Sequence, residues 1–396
     1  MDTRESPDPL DLDPQARETT RRLTQRIRSA IAEAGGALPF DRYMELALYE
    51  PGLGYYRGGA ARFGAGGDFA TAPELSPLFG RTLARQAAEI LEHLGGGDIV
   101  ELGPGTGSLA ATALPELERL GALPGRWRML EVSAALRQEQ EQTLEQAVPH
   151  LRDRVAWLEA LPAPEHPAVW IANEVLDALP VKRFVKRGDA VRELAVADAG
   201  DALSWTEVPP DPALVEAVAA IERRLPAPLP EGYTSEACTR LPAFLAGISA
   251  ALRSGVTLWI DYGYPRREYY LAERHGGTLL CHFRHRAHDD PFFHPGLQDI
   301  TAFVDFTAVA DAAQAHGLEV LGYAPQGAFL AGAGLEGAAQ ERLEHADSRE
   351  RLSVSNEVQR LTHPGDMGER FKVIALGRGY TGPLSGFRLA DRRPTL

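Results

Sequence analysis

A parallel α/β sheet is the fold class this sequence predicts, and three observations carry the prediction. Short apolar runs recur at 98–102, 127–132, 154–158, 168–172 and 257–260, the pattern of strands buried on both faces. The segments between them are mostly compatible with helix, and a parallel sheet needs that alternation. The first run, Asp98-Ile99-Val100-Glu101-Leu102, feeds directly into a glycine turn that opens a helix.

Ahead of the sheet, Asp13 followed by Pro14 supplies an N-cap and a first-turn proline. Leu23, Ile27, Ile31 and Ala34 then recur at helical spacing until Gly35-Gly36 stops the run. Asp41 is placed to cap a second helix bearing Tyr43, Met44, Leu46 and Ala47, which ends at Pro51-Gly52 before a glycine-rich stretch over 58–67. Residues 1–78 thus read as an N-terminal helical and lid region. A helical pattern over 79–94 breaks at Gly95-Gly96-Gly97, and 108–120 is helical again, so 79–205 reads as the first part of the sheet unit. Six prolines, Pro209, Pro210, Pro212, Pro226, Pro228 and Pro230, flank a helix-like piece at 213–224, and 206–255 reads as a helical insertion. Residues 256–380 return to the sheet with strand-like runs at 279–283, 318–323 and 371–376, and 381–396 form a tail.

The 396 residues carry 41 Lys+Arg against 55 Asp+Glu, a formal charge of -14, and 44% are hydrophobic, enough for a sizeable core. Two domains, or one elaborated domain, fit that length. Neutralising phosphates needs clustered Lys and Arg, so a nucleic-acid partner is not expected. Cys238 and Cys281 are too few for a disulfide framework or a thiolate zinc site. No run approaches the ~18 consecutive apolar residues of a membrane-spanning helix, and membrane insertion is not expected. The start Met1-Asp2-Thr3-Arg4-Glu5, with acids at Asp8, Asp11 and Asp13, lacks the basic character of signal and transit peptides, so a cytoplasmic location is expected.

The segment Glu101-Leu102-Gly103-Pro104-Gly105-Thr106-Gly107-Ser108 is the most informative. Glycines there let the backbone approach a ligand closely. A dinucleotide fold spells such a turn G-x-G-x-x-G, whereas here the third glycine falls one place early and position 108 is Ser. Glu101 would be unhelpful beside a pyrophosphate. It suits a cofactor that carries a cationic amino group, a sulfonium and no phosphate, and S-adenosylmethionine is such a molecule. The strand from Trp127 delivers Glu131, 24 positions after Gly107, where a carboxylate can accept both ribose hydroxyls. A nicotinamide cofactor is the alternative, since a ribose carboxylate serves both ligand classes.

Several dispersed segments resemble one family, the MidA-like S-adenosylmethionine-dependent methyltransferases, whose mitochondrial members assist assembly of respiratory complex I. They include Pro39-Phe40-Asp41-Arg42-Tyr43-Met44 with Gly54-Tyr55-Tyr56, Gly67-Asp68-Phe69-Ala70-Thr71-Ala72-Pro73-Glu74-Leu75-Ser76 with Phe79-Gly80, and the glycine turn itself. Further matches are Asn173-Glu174-Val175-Leu176-Asp177-Ala178-Leu179-Pro180-Val181, Ile260-Asp261-Tyr262-Gly263, Pro295-Gly296-Leu297-Gln298-Asp299-Ile300-Thr301, Val304-Asp305-Phe306 and Gly368-Glu369-Arg370-Phe371-Lys372. The resemblance spans residues 38–376. It implies a class I methyltransferase, a Rossmann-like seven-stranded sheet, mostly parallel with a reversed last strand, with an N-terminal helical part and inserted helices on the substrate side. Mitochondrial members of the family symmetrically dimethylate an arginine of a complex I subunit.

Methyl transfer from a sulfonium is an in-line displacement, so alignment supplies much of the acceleration. The strand at 168–172 ends in Asn173-Glu174-Val175-Leu176-Asp177, where polar residues emerge from an apolar run at the edge where open sheets bind ligands. If a helical turn starts at Asn173, Glu174 and Asp177 share one face and can hold a planar guanidinium, offset its charge and accept the released proton. Asn173, Glu174 and Asp177 are the expected catalytic residues; the alternative is that Asn173 caps that turn and Asp177 pairs with Lys182. Cofactor contacts are expected from Glu101, Gly103, Gly105, Thr106, Gly107 and Glu131. Asp68, Thr71 and Glu74 are expected as a lid or as turn caps, and Glu159 on the adenine side. Asp261, His288 and Asp299 are expected on the substrate side, with Asp299 and Asp305 otherwise capping helices or ordering a loop.

The run Cys281-His282-Phe283-Arg284-His285-Arg286-Ala287-His288-Asp289-Asp290, with His294 beyond it, invites a metal reading. Two arginines oppose a cation there, and strand alternation sends neighbours to opposite faces, so no metal is expected. The expectation is a methyltransferase acting on an arginine of a protein, a respiratory complex subunit being one such substrate. Methylation of a small molecule or another side chain, and a non-catalytic assembly factor that binds the cofactor, are the alternatives; a homodimer stays open.

Overall fold

The computed structural model describes residues 12–58, 71–344 and 346–396, which divide into two compact units. One unit, residues 71–176, 242–263 and the described residues from 306 onward, carries the main sheet. Its strands are β1 (Asp98–Leu102), β2 (Trp127–Leu130), β3 (Val155–Leu158), β4 (Ala168–Asn173), β5 (Gly255–Tyr264), β6 (Glu319–Pro325) and β7 (Phe371–Arg378). They lie in the order β3-β2-β1-β4-β5-β7-β6. The first five are parallel and β7 runs antiparallel between β5 and β6. This is the mostly parallel α/β sheet that the alternation predicts, with the reversed last strand that the family resemblance implies.

The strands are continuous apolar runs because both faces are covered; every residue of β1 is buried, as are Ala168 to Ala172 of β4. Ile99, Trp127, Met129, Val169, Ile171 and Leu258 join residues of the helices Pro77–Leu94 and Ser108–Arg119 in one hydrophobic cluster. Ser76 caps the first of these helices by accepting the Leu78 N–H, and Gly95 ends it at φ +73°. Strand order reverses at β1, whose neighbours are β2 on one side and β4 on the other. The carboxyl ends of β1 and β4 therefore flank the switch point where open α/β sheets take ligands.

The second unit contains the described residues 12–58, 177–241 and 264–305. Asp13 caps the helix Pro14–Glu33 through the Ala16 N–H at 2.8 Å, as expected. The next helix starts earlier than expected, at Phe40, so Asp41 lies inside its first turn and caps nothing. Asp41 is instead buried and ion-paired with Lys182 and Arg240, each at 3.4 Å. An antiparallel sheet follows: Ala190–Asp198 pairs with Leu38–Pro39, Lys182–Arg187 and Leu203–Val208, and Thr234–Ala237 extends it. A three-stranded sheet sets Leu280–Phe283 between Arg286–His288 and Asp299–Thr301. Residues 206–255 hold the helix Pro212–Glu222, the strand Thr234–Ala237 and the helix Leu241–Ala251 that leads into β5. Among the described residues no helix is long and apolar enough to cross a membrane.

Candidate active site

Beyond β1 the chain turns through Gly103, Gly105 and Gly107 at φ +61°, +53° and +85°, conformations that glycine adopts without steric cost. A Cβ at Gly103 would sit 3.0 Å from Val175 Cγ2, and one at Gly107 would sit 3.4 Å from Gln140 Cα. At Gly105 a Cβ would meet nothing within 4 Å, so the turn opens to space there. Gly107 also begins the helix Ser108–Arg119 without a side-chain cap. Thr106 Oγ1 donates to Glu74 Oε1 at 3.0 Å and lies 2.8 Å from Ser108 Oγ, so Glu74 is tied to the glycine turn. Thr71 precedes the short helix Ala72–Leu75 without a side-chain cap bond, and Asp68 lies outside the described residues.

Two carboxyl groups flank the turn. Glu101 is 3% exposed and accepts the Trp127 indole N–H at 2.8 Å. Burial drives its pKa up to about 8, with the Trp127 bond opposing only part of the rise. A neutral acid at pH 7 is what an isolated buried carboxyl becomes, and a cation placed beside it restores the carboxylate. Glu131 follows β2; its Oε1 accepts the Ser133 N–H at 2.7 Å and its Oε2 accepts from Gln140 Nε2 at 3.2 Å. Burial raises its pKa too, against the Ser133 and Gln140 bonds that favour the ionised form. Trp127, Gln140 and Trp157, which donates to Gln140 Oε1 at 2.8 Å, are site residues that the motif reading missed. Glu159 follows β3 and is exposed.

At the end of β4 the helical turn expected from Asn173 is not formed. Asn173 is the last strand residue, and Glu174 takes φ +54°, a left-handed conformation unusual for a side chain of this size. The Glu174 N–H donates to Ile260 O at 2.8 Å, and buried Asp261 accepts the N–H groups of Val175 and Leu176 at 3.2 and 2.9 Å through one oxygen. Its other oxygen accepts the Tyr262 N–H at 2.9 Å. Asp261 therefore shapes the turn that presents Glu174. Asn173 Nδ2 donates to Glu174 Oε1 at 2.9 Å, while Asn173 Oδ1 is buried with no hydrogen-bond partner among the described residues. The i, i+3 pairing of Glu174 with Asp177 on a helix face is thereby corrected: residues 173–177 form no helical turn, so their spacing does not set the two carboxylates on one helix face.

In the second unit Asp177 and Asp299 are buried. Tyr56 donates to Asp299 Oδ1 at 2.8 Å, Tyr49 donates to Ala178 O at 2.9 Å, and the two phenol rings stack at 5.6 Å. Both tyrosines titrate well above the usual range, first from burial and then from the charges of Asp299 and Asp177. Asp299 begins a strand and caps no helix, and Asp305 pairs with Arg266 at 2.9 Å. Lys182 contacts Asp41, Glu193 and Asp211. His288 is buried, accepts the Asp290 N–H through Nδ1 at 3.3 Å, and titrates low because of burial. His282 is pushed down to about 4 by burial and by His288. Among the described residues no group of three or more His, Cys, Asp or Glu side chains could hold a metal ion.

The site in the sheet unit fits an adenosyl ligand: an open glycine turn, a buried acid suited to a cation and a half-covered acid suited to a diol. Comparison with known proteins agrees. A family model described as "Putative S-adenosyl-L-methionine-dependent methyltransferase" matches residues 82–324. The protein arginine methyltransferase NDUFAF7 homolog, mitochondrial, of Drosophila melanogaster is 28% identical over 90% of this chain and 85% of its own. The corresponding Mus musculus protein is 29% identical over 90% and 83%. A crystal structure from Burkholderia thailandensis, bound to S-adenosyl-homocysteine, superposes with TM-score 0.91 at 42% identity, covering 98% of this chain and all of the other. The model match spans well over half of the chain, the bound nucleoside of the 42% identical structure is the product form of the cofactor, and the chain belongs to the S-adenosyl-L-methionine-dependent methyltransferase family.

Proposed function

We propose that this methyltransferase acts on an arginine side chain of a protein. The observation that carries the proposal is the pair at the end of β4, where Asn173 Oδ1 takes no bond among the described residues and Glu174 is held in a left-handed conformation. Strain of this kind costs about 1–3 kcal/mol and persists where the surrounding structure imposes it, typically at functional sites. A carboxylate beside an amide oxygen offers acceptors for several N–H donors at once, which matches the edge of a guanidinium. The curated relatives from Drosophila melanogaster and Mus musculus are both named protein arginine methyltransferases, which supports the same acceptor.

When bound, S-adenosylmethionine supplies an electrophilic methyl group on its sulfonium. Glu131 would hold the ribose hydroxyls, the open glycine turn at Gly105 would take the adenosyl group, and Glu101 would hold the amino group. Glu174 and Asn173 Oδ1 accept guanidinium N–H groups. Glu174 offsets the positive charge, raises electron density on the attacking nitrogen and takes the proton that leaves it. Asp261 keeps Glu174 in place. A protein acceptor in the cytoplasm is part of the proposal.

The test uses methyl-labelled S-adenosylmethionine, purified protein and an extract of cells that lack the gene, followed by mass spectrometry of the labelled species. Methyl-arginine on a protein, lost with Glu174→Gln, is the expected result. Label confined to small molecules or to other side chains would overturn the proposal, and fractionation of tagged protein decides the compartment.

A further inference from the structure

We infer that Gln140 is a positioning residue for the cofactor ribose, acting through Glu131 and the glycine turn; the inference rests on Glu131 as the ribose acceptor. Gln140 sits in Gln138-Glu139-Gln140-Glu141-Gln142, a run that composition would assign to solvent. Its side chain is nevertheless fully buried, on the stripe of Leu136 and Leu144 in the helix Ala134–Ala147. A buried amide is costly unless its donors and acceptor are satisfied, and here they are. Oε1 accepts from Trp157 Nε1 at 2.8 Å, while Nε2 donates to Gly105 O at 2.8 Å and to Glu131 Oε2 at 3.2 Å.

Chemistry fixes which end of the amide faces which partner. An indole N–H only donates, so it must meet Oε1, and a carbonyl and a carboxylate only accept, so they must meet Nε2. Trp157 thereby aims the amide N–H groups at Gly105 and Glu131. One side chain thus holds both the peptide oxygen beside the open position of the glycine turn and one oxygen of the ribose carboxylate. The Ser133 N–H holds the other oxygen at 2.7 Å, so the carboxylate plane is fixed before any ligand arrives. Charged groups nearby are Glu131 itself, the guanidiniums of Arg152 and Arg137, 4.4 and 5.4 Å from the Trp157 ring centre, and Glu141, which pairs with both arginines at 3.8 and 3.4 Å.

The experiment is calorimetric titration of S-adenosylhomocysteine into wild type, Glu131→Gln, Gln140→Leu, Gln140→Glu, Trp157→Phe and the double variant Glu131→Gln/Gln140→Leu. Losing a bond to a charged group weakens binding roughly 10- to 100-fold, and Gln140→Leu is expected in that range. The double variant is expected to bind no more than a few-fold more weakly than Glu131→Gln, because Gln140 acts through that carboxylate. Gln140→Glu keeps the acceptor for Trp157 but must share a proton with Glu131. Its affinity relative to wild type is therefore expected to fall ~10-fold or more between pH 6 and 9. Trp157→Phe frees the amide to turn over and gives a smaller loss. Unchanged binding in Glu131→Gln would remove the ribose reading. A large loss in Glu131→Gln, with Gln140→Leu and Gln140→Glu binding as wild type at every pH, would overturn the role of Gln140 alone. So would multiplicative losses in the double variant. If Gln140→Leu does not fold, the pH profile of Gln140→Glu decides.

Discussion

Glu101→Gln is the perturbation whose consequence can be worked most fully. Burial raises the Glu101 pKa to about 8 in the free protein, against 4.5 when exposed. The folded state therefore holds this proton more tightly than the unfolded state, so stability from this group is complete below pH 4.5 and drains away as pH rises through about 8. At 1.36 kcal/mol per pH unit, wild type loses about 4 kcal/mol between pH 5 and 9 through Glu101. The glutamine has the same shape, still accepts the Trp127 N–H, and does not titrate. Urea denaturation of both proteins at pH 5, 7 and 9 is the assay, and the stability difference is expected to move in favour of the variant by about 4 kcal/mol across that range. Ligand binding provides a second readout. An ammonium beside Glu101 draws off its proton, so S-adenosylmethionine binding at pH 7 is expected to release up to nearly one proton in wild type and less in the variant, measured by calorimetry in buffers of different ionisation enthalpy. Stability curves that stay parallel within about 1 kcal/mol would refute the reasoning, because they would show that Glu101 ionises in the folded protein as it does in water.

Three further perturbations test the site. Gly105→Val places a β-branched residue at φ +53° in the open part of the turn; calorimetry is expected to show cofactor binding lost, with the far-UV circular dichroism of the folded protein kept, and retained binding would contradict the ligand position. Glu174→Gly relieves the left-handed strain and is expected to stabilise the protein by about 1 kcal/mol in urea denaturation while methyl transfer drops at least ~100-fold; a less stable or fully active variant would count against strain held for function. Asp261→Ala leaves the N–H groups of Val175, Leu176 and Tyr262 without their acceptor, and is expected to cost about 3 kcal/mol and to lower kcat with little change in cofactor affinity. Equal effects on kcat and affinity would place Asp261 in the cofactor site instead.

How much of this was legible in the sequence depends on where each side chain finds its partner. The strands β1 and β4 read directly, because burial on both faces leaves an uninterrupted apolar run. The antiparallel sheet did not, because Lys182–Arg187 has the composition of a solvated segment. Its lysines are buried and paired, Lys182 with Asp41 and Glu193 and Lys186 with Glu222 at 2.9 Å, and none of these acids lies within the strand itself. The turn at Glu174 escaped for the same reason. Local sequence permits a helix after Asn173, and the turn formed there instead is fixed by the Asp261 carboxylate, 86 and 85 residues away, which accepts the Val175 and Leu176 N–H groups.

The glycine turn and its two acids were legible because their spacing is local, whereas the groups that set their chemistry were not. Trp127 and Trp157 stand on β2 and β3, and each spends its indole N–H on the site: Trp127 on Glu101, Trp157 on Gln140. An indole cannot ionise and cannot accept, so it orients its partner without supplying charge. Glu101 can therefore remain neutral in the free protein, and the positive charge that makes it a carboxylate must come from the ligand. Gln140 could have been found from periodicity, since Leu136, Gln140 and Leu144 recur every fourth residue and all three are buried. A polar residue on the apolar stripe of a helix beside a ligand turn is a positioning group until its partners show otherwise. That rule needs only the helix register, and it finds here a residue that the motif around Gly105 does not contain.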